Sequence, residues 1–142
     1  MTEIHSQLAA DCIVLGQMPL CHLLLMNDSQ FPWFILVPAR PDIREIYQLE
    51  NTDRQQLLDE SCSLSEFLME VYTGDKLNVA ALGNQVPQLH LHHIVRYATD
   101  AAWPAPIWGK SAPQAYSPAA IEEIRTLLST AALDGYVATL NA

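Results

Sequence analysis

Basic residues are scarce. Seven Lys and Arg stand against sixteen Asp and Glu, a formal net charge of −9 over 142 residues. The seven (Arg40, Arg44, Arg54, Lys76, Arg96, Lys110 and Arg125) are scattered along the chain. A polyanion is repelled at long range by such a protein, and phosphate-backbone binding needs clustered cations, so nucleic acid is excluded as a partner. A small nucleotide remains compatible, because backbone N–H groups and a few local cations can hold phosphate. No apolar run approaches the roughly 18 residues of a membrane span, so no membrane partner is expected. The opening Met1-Thr2-Glu3-Ile4-His5 lacks the basic start and apolar block of a secretion signal. Cysteine is equally sparse: Cys12, Cys21 and Cys62 are odd in number and show no C-x-x-C spacing. They are expected to be buried or free thiols in a reducing cytoplasm.

Half the residues are hydrophobic and 16% are charged, which suits one well-filled domain spanning 1–142. Cys12–Leu15 and Leu20–Met26 read as strands separated by the turn Gly16-Gln17-Met18-Pro19. Trp33–Val37 is a β-branched and aromatic run between Pro32 and Pro38, the pattern of a central strand buried on both faces. Asp42 is placed to cap a short helix through Tyr47. Thr52-x-x-Gln55 is a capping-box pattern and Gly74 a helix stop, so a helix is expected at about 53–73. Its apolar stripe is Leu57, Leu58, Leu64, Leu68, Val71 and Tyr72, with Asp59, Glu60, Ser63, Glu66 and Glu70 opposite. Leu77–Leu82 is a fourth strand and Leu89–Tyr97 the fifth. Beyond Asp100 an irregular arm at about 98–116 holds Trp103 and Trp108 among prolines, and Ser117-Pro118 opens a last helix to about 134. The expected fold class is α+β: a five-stranded, mostly antiparallel sheet with one long helix and a C-terminal helix.

Three of the five histidines fall within Gln88-Leu89-His90-Leu91-His92-His93-Ile94-Val95-Arg96. On a strand, Gln88, His90 and His92 share one face and His93 takes the other. Three readings compete. The histidines could be structural, hydrogen-bonded at a sheet surface. They could bind zinc, but His5 and His22 are the only other histidines, and neither metal nor cofactor is assigned. They could be catalytic, since the unperturbed imidazole pKa lies near 6.5.

This segment resembles the histidine triad (HIT) superfamily of nucleotide hydrolases and transferases, whose pattern is His-φ-His-φ-His-φ-φ with φ apolar. Asn78-Val79-Ala80-Ala81-Leu82-Gly83-Asn84-Gln85-Val86 is similar to the family's approach to the triad, and Phe31-Pro32-Trp33-Phe34-Ile35-Leu36-Val37-Pro38 to its upstream strand. The resemblance covers about positions 8–97. It implies that His90, the middle member, attacks the α-phosphate of a nucleotide derivative and carries the nucleotidyl group. It further implies that His92 and the first triad position, Gln88, serve the phosphate or leaving group. Asn84 and Gln85 would cradle phosphate oxygen, and Asn27 would meet the ribose. Trp103 or Trp108 could wall the pocket, and the long helix would pair two copies into a homodimer.

Two positions depart from the pattern. Gln88 replaces the first histidine; an amide donates and accepts hydrogen bonds but carries no charge near neutral pH. Pro32-Trp33 falls where the family has Gly-His. The expected function is therefore a HIT-like nucleotidyl hydrolase or transferase of reduced or narrowed activity. The rival is a nucleotide-binding or scaffold module of the same fold that has lost turnover.

Overall fold

A computed structural model describes residues 2–131 and 133–139. A short helix α1 (Ser6–Asp11) leads into β1 (Cys12–Gln17), followed by β2 (Cys21–Met26) and β3 (Trp33–Pro38). The long helix α2 (Asn51–Tyr72) then precedes β4 (Lys76–Ala80), β5 (Leu91–Arg96), α3 (Pro118–Thr130) and the two-residue β6 (Val137–Ala138). The strands form one antiparallel sheet in the order β4-β5-β3-β2-β1-β6.

Every residue of β3 and β5 is buried, as the uninterrupted apolar run of β3 requires. The alternation of side chains divides the core in two. On one face Leu23, Leu25, Phe34, Leu36, Leu91 and Val95 pack under Leu57, Leu64 and Leu68 of α2 and Ile124 and Leu128 of α3. On the other, Leu24, Trp33, Ile35, Val37 and Ile94 pack with Leu8 of α1, Val86, Ala102 and Ile107. This second face, covered by α1 and the 98–116 arm, carries His90 and His92.

Several boundaries differ from expectation. Among the described residues the sheet has six strands, because residues 137–138 return to pair with Gly16 and Gln17. The C-terminal helix stops at Thr130, short of 134; its start is as expected, with Ser117 Oγ accepting from Ala120 N–H at 3.1 Å and Pro118 in the first turn. α1 was unforeseen. Asp42 takes a left-handed backbone (φ 57°) and caps nothing, and only a 3-10 turn at Ile46–Gln48 follows. α2 begins at Asn51 without a side-chain cap bond, and Thr73, not Gly74, adopts the left-handed stop (φ 51°). Gly74 serves close packing, since a Cβ there would lie 2.4 Å from Val95 Cγ1. Glu60, assigned to the solvent face of α2, is buried and accepts the backbone N–H groups of Leu20 and Cys21 at 2.9 and 3.0 Å. Its neighbour Leu58, assigned to the apolar stripe, is 57% exposed. Two N–H groups at the hairpin turn that need an acceptor decide that face, and hydrophobicity alone does not report them.

His93 lies on the helix side of β5, fully buried, with Ser61 of α2 at 2.7 Å from Nε2 and the Leu91 carbonyl at 3.1 Å from Nδ1. Burial lowers its pKa to about 4, against a raising contribution from backbone hydrogen bonding. The unfolded chain, with an imidazole near 6.5, therefore binds the proton first as pH falls. The stability His93 contributes is complete above 6.5 and is lost between 6.5 and 4 at about 1.4 kcal/mol per pH unit. Between pH 7 and pH 5 this one group should cost about 2 kcal/mol. Urea unfolding at the two pH values should show that loss in the native chain and a flatter dependence in His93→Ala. An equal pH dependence in both proteins would overturn the assignment.

Candidate active site

β5 starts at Leu91, two residues later than the sequence suggests, because Gln88-Leu89-His90 leaves the sheet. Leu89 N–H donates to the Ile43 carbonyl at 2.9 Å. His90 and His92 nevertheless come together, with ring centroids 4.9 Å apart at 72°. They sit in a cleft of about 400 Å³ walled by Trp33 of β3, Trp108 of the arm and Gly83-Asn84-Gln85-Val86, with Gln7, Leu8 and Asp11 of α1 on its other side. That volume suits a small ligand.

Each imidazole has one nitrogen fixed by a partner that can act in only one way. His90 Nδ1 lies 2.7 Å from the Gln88 carbonyl, which only accepts, so Nδ1 carries the proton and the Nε2 lone pair is left available. For His92 the partner is the indole of Trp33, whose Nε1–H donates to Nδ1 at 2.9 Å. An indole N–H cannot accept, so the proton of neutral His92 is on Nε2. Burial lowers the His92 pKa to about 3, helped by the neighbouring His90 and His93, so at pH 7 it is an uncharged donor. The pair thus offers one nucleophilic nitrogen and one N–H donor side by side. Trp33, the departure from the family pattern, fixes the second of these.

Trp108 stands edge-on to both His92 (5.1 Å, 73°) and Trp33 (6.1 Å, 87°). Trp103 does not reach the cleft; it lies over the buried Arg96 guanidinium at 5.7 Å. Arg96 in turn binds Asp100 through both carboxylate oxygens, Asn78 Oδ1 and the Ala105 carbonyl, which pins the start of the arm and so the approach to Trp108.

Of the residues singled out from the sequence, His90, His92, Asn84 and Gln85 line one cleft. Gln88 and Asn27 do not. The Gln88 amide turns to the N-terminal segment, bonding His5 N–H and the Glu3 carbonyl, and shares with His90 only a small hollow beside Arg44. Asn27 Oδ1 accepts from Tyr116 N–H at 2.9 Å and ties the end of β2 to the arm, while its neighbour Met26 takes the place in the cleft wall. Reasoning from the sequence missed the α1 wall altogether. Its signal was present in Ser6-Gln7-Leu8-Ala9-Ala10-Asp11, an Ala/Leu-rich stretch of good helix formers opened by a capping side chain, His5.

Among the described residues no group of three His, Cys, Asp or Glu is arranged to hold a metal ion. Nor is the Cys12 thiol available as a nucleophile, since burial pushes its pKa up to about 12. No helix among the described residues is long and apolar enough to cross a membrane.

Residues 7–99 match the model of the HIT domain family. Solved structures are similar over nearly the whole chain. A histidine triad protein from Marinobacter aquaeolei VT8 is 55% identical, covers 90% of this chain and 93% of its own, and superposes with a TM-score of 0.88. One from Bradyrhizobium japonicum is 43% identical, with 90% and 96% covered and a TM-score of 0.88. A third, from Sinorhizobium meliloti 1021, is 34% identical, with 91% and 96% covered and a TM-score of 0.89. No curated protein matches significantly.

Proposed function

The chain belongs to the HIT domain family, and on that premise we propose that it is a nucleotidyl hydrolase or transferase acting at the α-phosphate of a nucleotide derivative. The observation that carries this reading is the opposed fixing of the two imidazoles. The Gln88 carbonyl holds the proton on His90 Nδ1, and Trp33 holds the proton of His92 on Nε2.

In the first step the His90 Nε2 lone pair attacks the α-phosphorus. A P–N bond forms, the bond from phosphorus to the leaving group breaks, and the leaving group departs with its electron pair and takes a proton from solvent. His90 becomes a cation whose remaining proton, on Nδ1, still donates to the Gln88 carbonyl. The His92 Nε2–H, with Asn84, Gln85 and nearby backbone amides, donates to the equatorial oxygens as charge develops on them. Water or another acceptor then attacks phosphorus, the P–N bond breaks back to Nε2, and the acceptor's proton passes to solvent.

The test is a rapid alkaline quench followed by peptide mass spectrometry, with nucleoside phosphoramidates, dinucleoside polyphosphates and nucleotide sugars supplied in turn. A phosphoramidate survives alkali and not acid, so the nucleotidyl group should be found on His90. Nucleotide binding with no adduct from any of the three classes would establish the non-catalytic binding module instead.

A homodimer is part of the same proposal. Leu58 of α2 is 57% exposed, and Val79, on the edge strand β4, is 46% exposed. An edge strand with exposed apolar side chains beside a partly uncovered helix is a surface that association would protect. A stable dimer should bury more than about 1,000 Å². Light scattering at micromolar concentration should give twice the chain mass, and a monomer would rule the dimer out.

A further inference from the structure

Gln88 occupies the first triad position, yet its side chain is committed elsewhere. Oε1 accepts the His5 N–H at 2.8 Å and Nε2 donates to the Glu3 carbonyl at 2.9 Å, so one amide grips Glu3-Ile4-His5 much as a neighbouring strand would. The same strap is held further back, where His22 Nε2–H donates to the Thr2 carbonyl at 3.0 Å, and Ile4 packs on the apolar cluster beneath the cleft. The strap runs directly into α1, whose first turn is capped by His5 Nδ1 accepting from Gln7 N–H at 3.1 Å.

Six residues are too few for a helix to hold itself together in water. α1 must therefore be fixed from outside. Its C-terminal end is held by Asn27 N–H donating to the Asp11 carbonyl, its middle by the buried Leu8, and its N-terminal end by the strap. The face it brings to the cleft carries Leu8, Gln7 and Asp11, the last held by Gln7 Nε2 at 2.9 Å. Among the described residues Asp11 is the only acidic or basic side chain lining the cleft apart from the histidines. A carboxylate there repels phosphate and suits the hydroxyl- and amine-bearing nucleoside end of a ligand.

We propose that Gln88 is a positioning residue. It fastens the N-terminal strap and so fixes α1 as the wall against which the nucleoside part of the substrate binds. The inference rests on the nucleotide reading of the cleft. It assigns the Gln a task that its chemistry fits: an amide presents one donor and one acceptor at every pH, whereas an imidazole does so only as a neutral tautomer. The substitution at this position then trades a group near the phosphate for a wall that sets affinity.

The experiment is a double-mutant cycle of Gln88→Ala against deletion of residues 2–5. It is read by the tryptophan fluorescence of the cleft on titration with adenosine and guanosine monophosphates, and by kcat and KM on whichever substrate is turned over. Gln88→Ala should weaken binding about tenfold, the scale of two hydrogen bonds, with kcat within about threefold. Deletion of residues 2–5 should weaken it at least as much, because it also removes the His5 cap, and the two together should do no more than the deletion alone. Hydrogen exchange of residues 7–11 should rise in both variants. A fall in kcat with both affinity and the protection of residues 7–11 unchanged, or effects that multiply in the double variant, would show that Gln88 acts other than through the strap and overturn the proposal. If the native chain binds neither nucleotide, the cleft reading fails on its own account. The strap is then decided by hydrogen exchange, and unchanged protection of residues 7–11 in Gln88→Ala would overturn it.

Discussion

His90→Ala should lower turnover by at least about 10⁴-fold, the scale on which removal of a covalent nucleophile acts. Nucleotide affinity should change only modestly. The reason is local. Among the described residues His90 is the only cleft imidazole whose Nε2 lone pair is left for attack, because Nδ1 is committed to the Gln88 carbonyl. His92 cannot take its place: its Nδ1 lone pair is occupied by the Trp33 N–H, and its other nitrogen holds the proton. The alkaline-stable adduct should vanish with the activity. His93→Ala is the control on the same strand. That ring lies on the opposite face, bonded to Ser61, so its loss should leave chemistry intact and lower stability. Activity surviving in His90→Ala would sink the covalent mechanism.

How much of this was legible in the sequence follows from the range of the forces involved. The central strand and the facing of His92 and His93 were readable because alternation along a strand is local and strict. The capping-box pattern at Thr52 placed the start of α2 to within two residues, although the helix begins at Asn51 with Glu50 at its N-cap and no side-chain cap bond. What failed was decided by partners distant in sequence. Gln88 looked like a site residue because Gln88, His90 and His92 alternate. Its amide was captured by Glu3 and His5, more than eighty positions away, and the strand begins only at Leu91. Asn27 was similarly diverted to Tyr116. Glu60 reads as a solvent residue by any hydropathy pattern, and only the folded hairpin turn offers it two N–H donors. The sixth strand is two residues long, too short to leave a periodic signal. Trp33 was noticed as a departure, but its consequence needed the 2.9 Å bond to His92, since sequence spacing does not say which nitrogen an indole meets.

The second large effect is expected at Asp100, outside the cleft. Its carboxylate and the Arg96 guanidinium are 3% and 2% exposed, a buried ion pair at 2.7 Å. Burial alone would raise the Asp100 pKa. The hydrogen bond from Arg96 and the N–H groups of Tyr97, Ala102 and Trp103 outweigh it and hold the carboxyl well below the usual carboxylate range. Stability from this group is therefore complete above about pH 4 and is lost as the pH falls through its depressed folded value. Asp100→Asn keeps the size and one acceptor oxygen but leaves the guanidinium of Arg96 without its counter-charge. Removing one partner of a buried pair costs about 3–5 kcal/mol, which for a chain of this length is a fall of roughly 10–20 °C in Tm. The added change Arg96→Met should recover part of that loss, because it removes the stranded charge while the amide introduced by Asp100→Asn still accepts from the backbone. The middle of the arm carries Trp108 against His92, so a loosened arm should also weaken nucleotide binding in the single variant at temperatures where it is still folded. Calorimetry showing Asp100→Asn within about 1 kcal/mol of the native protein would mean that the pair is not what holds the arm.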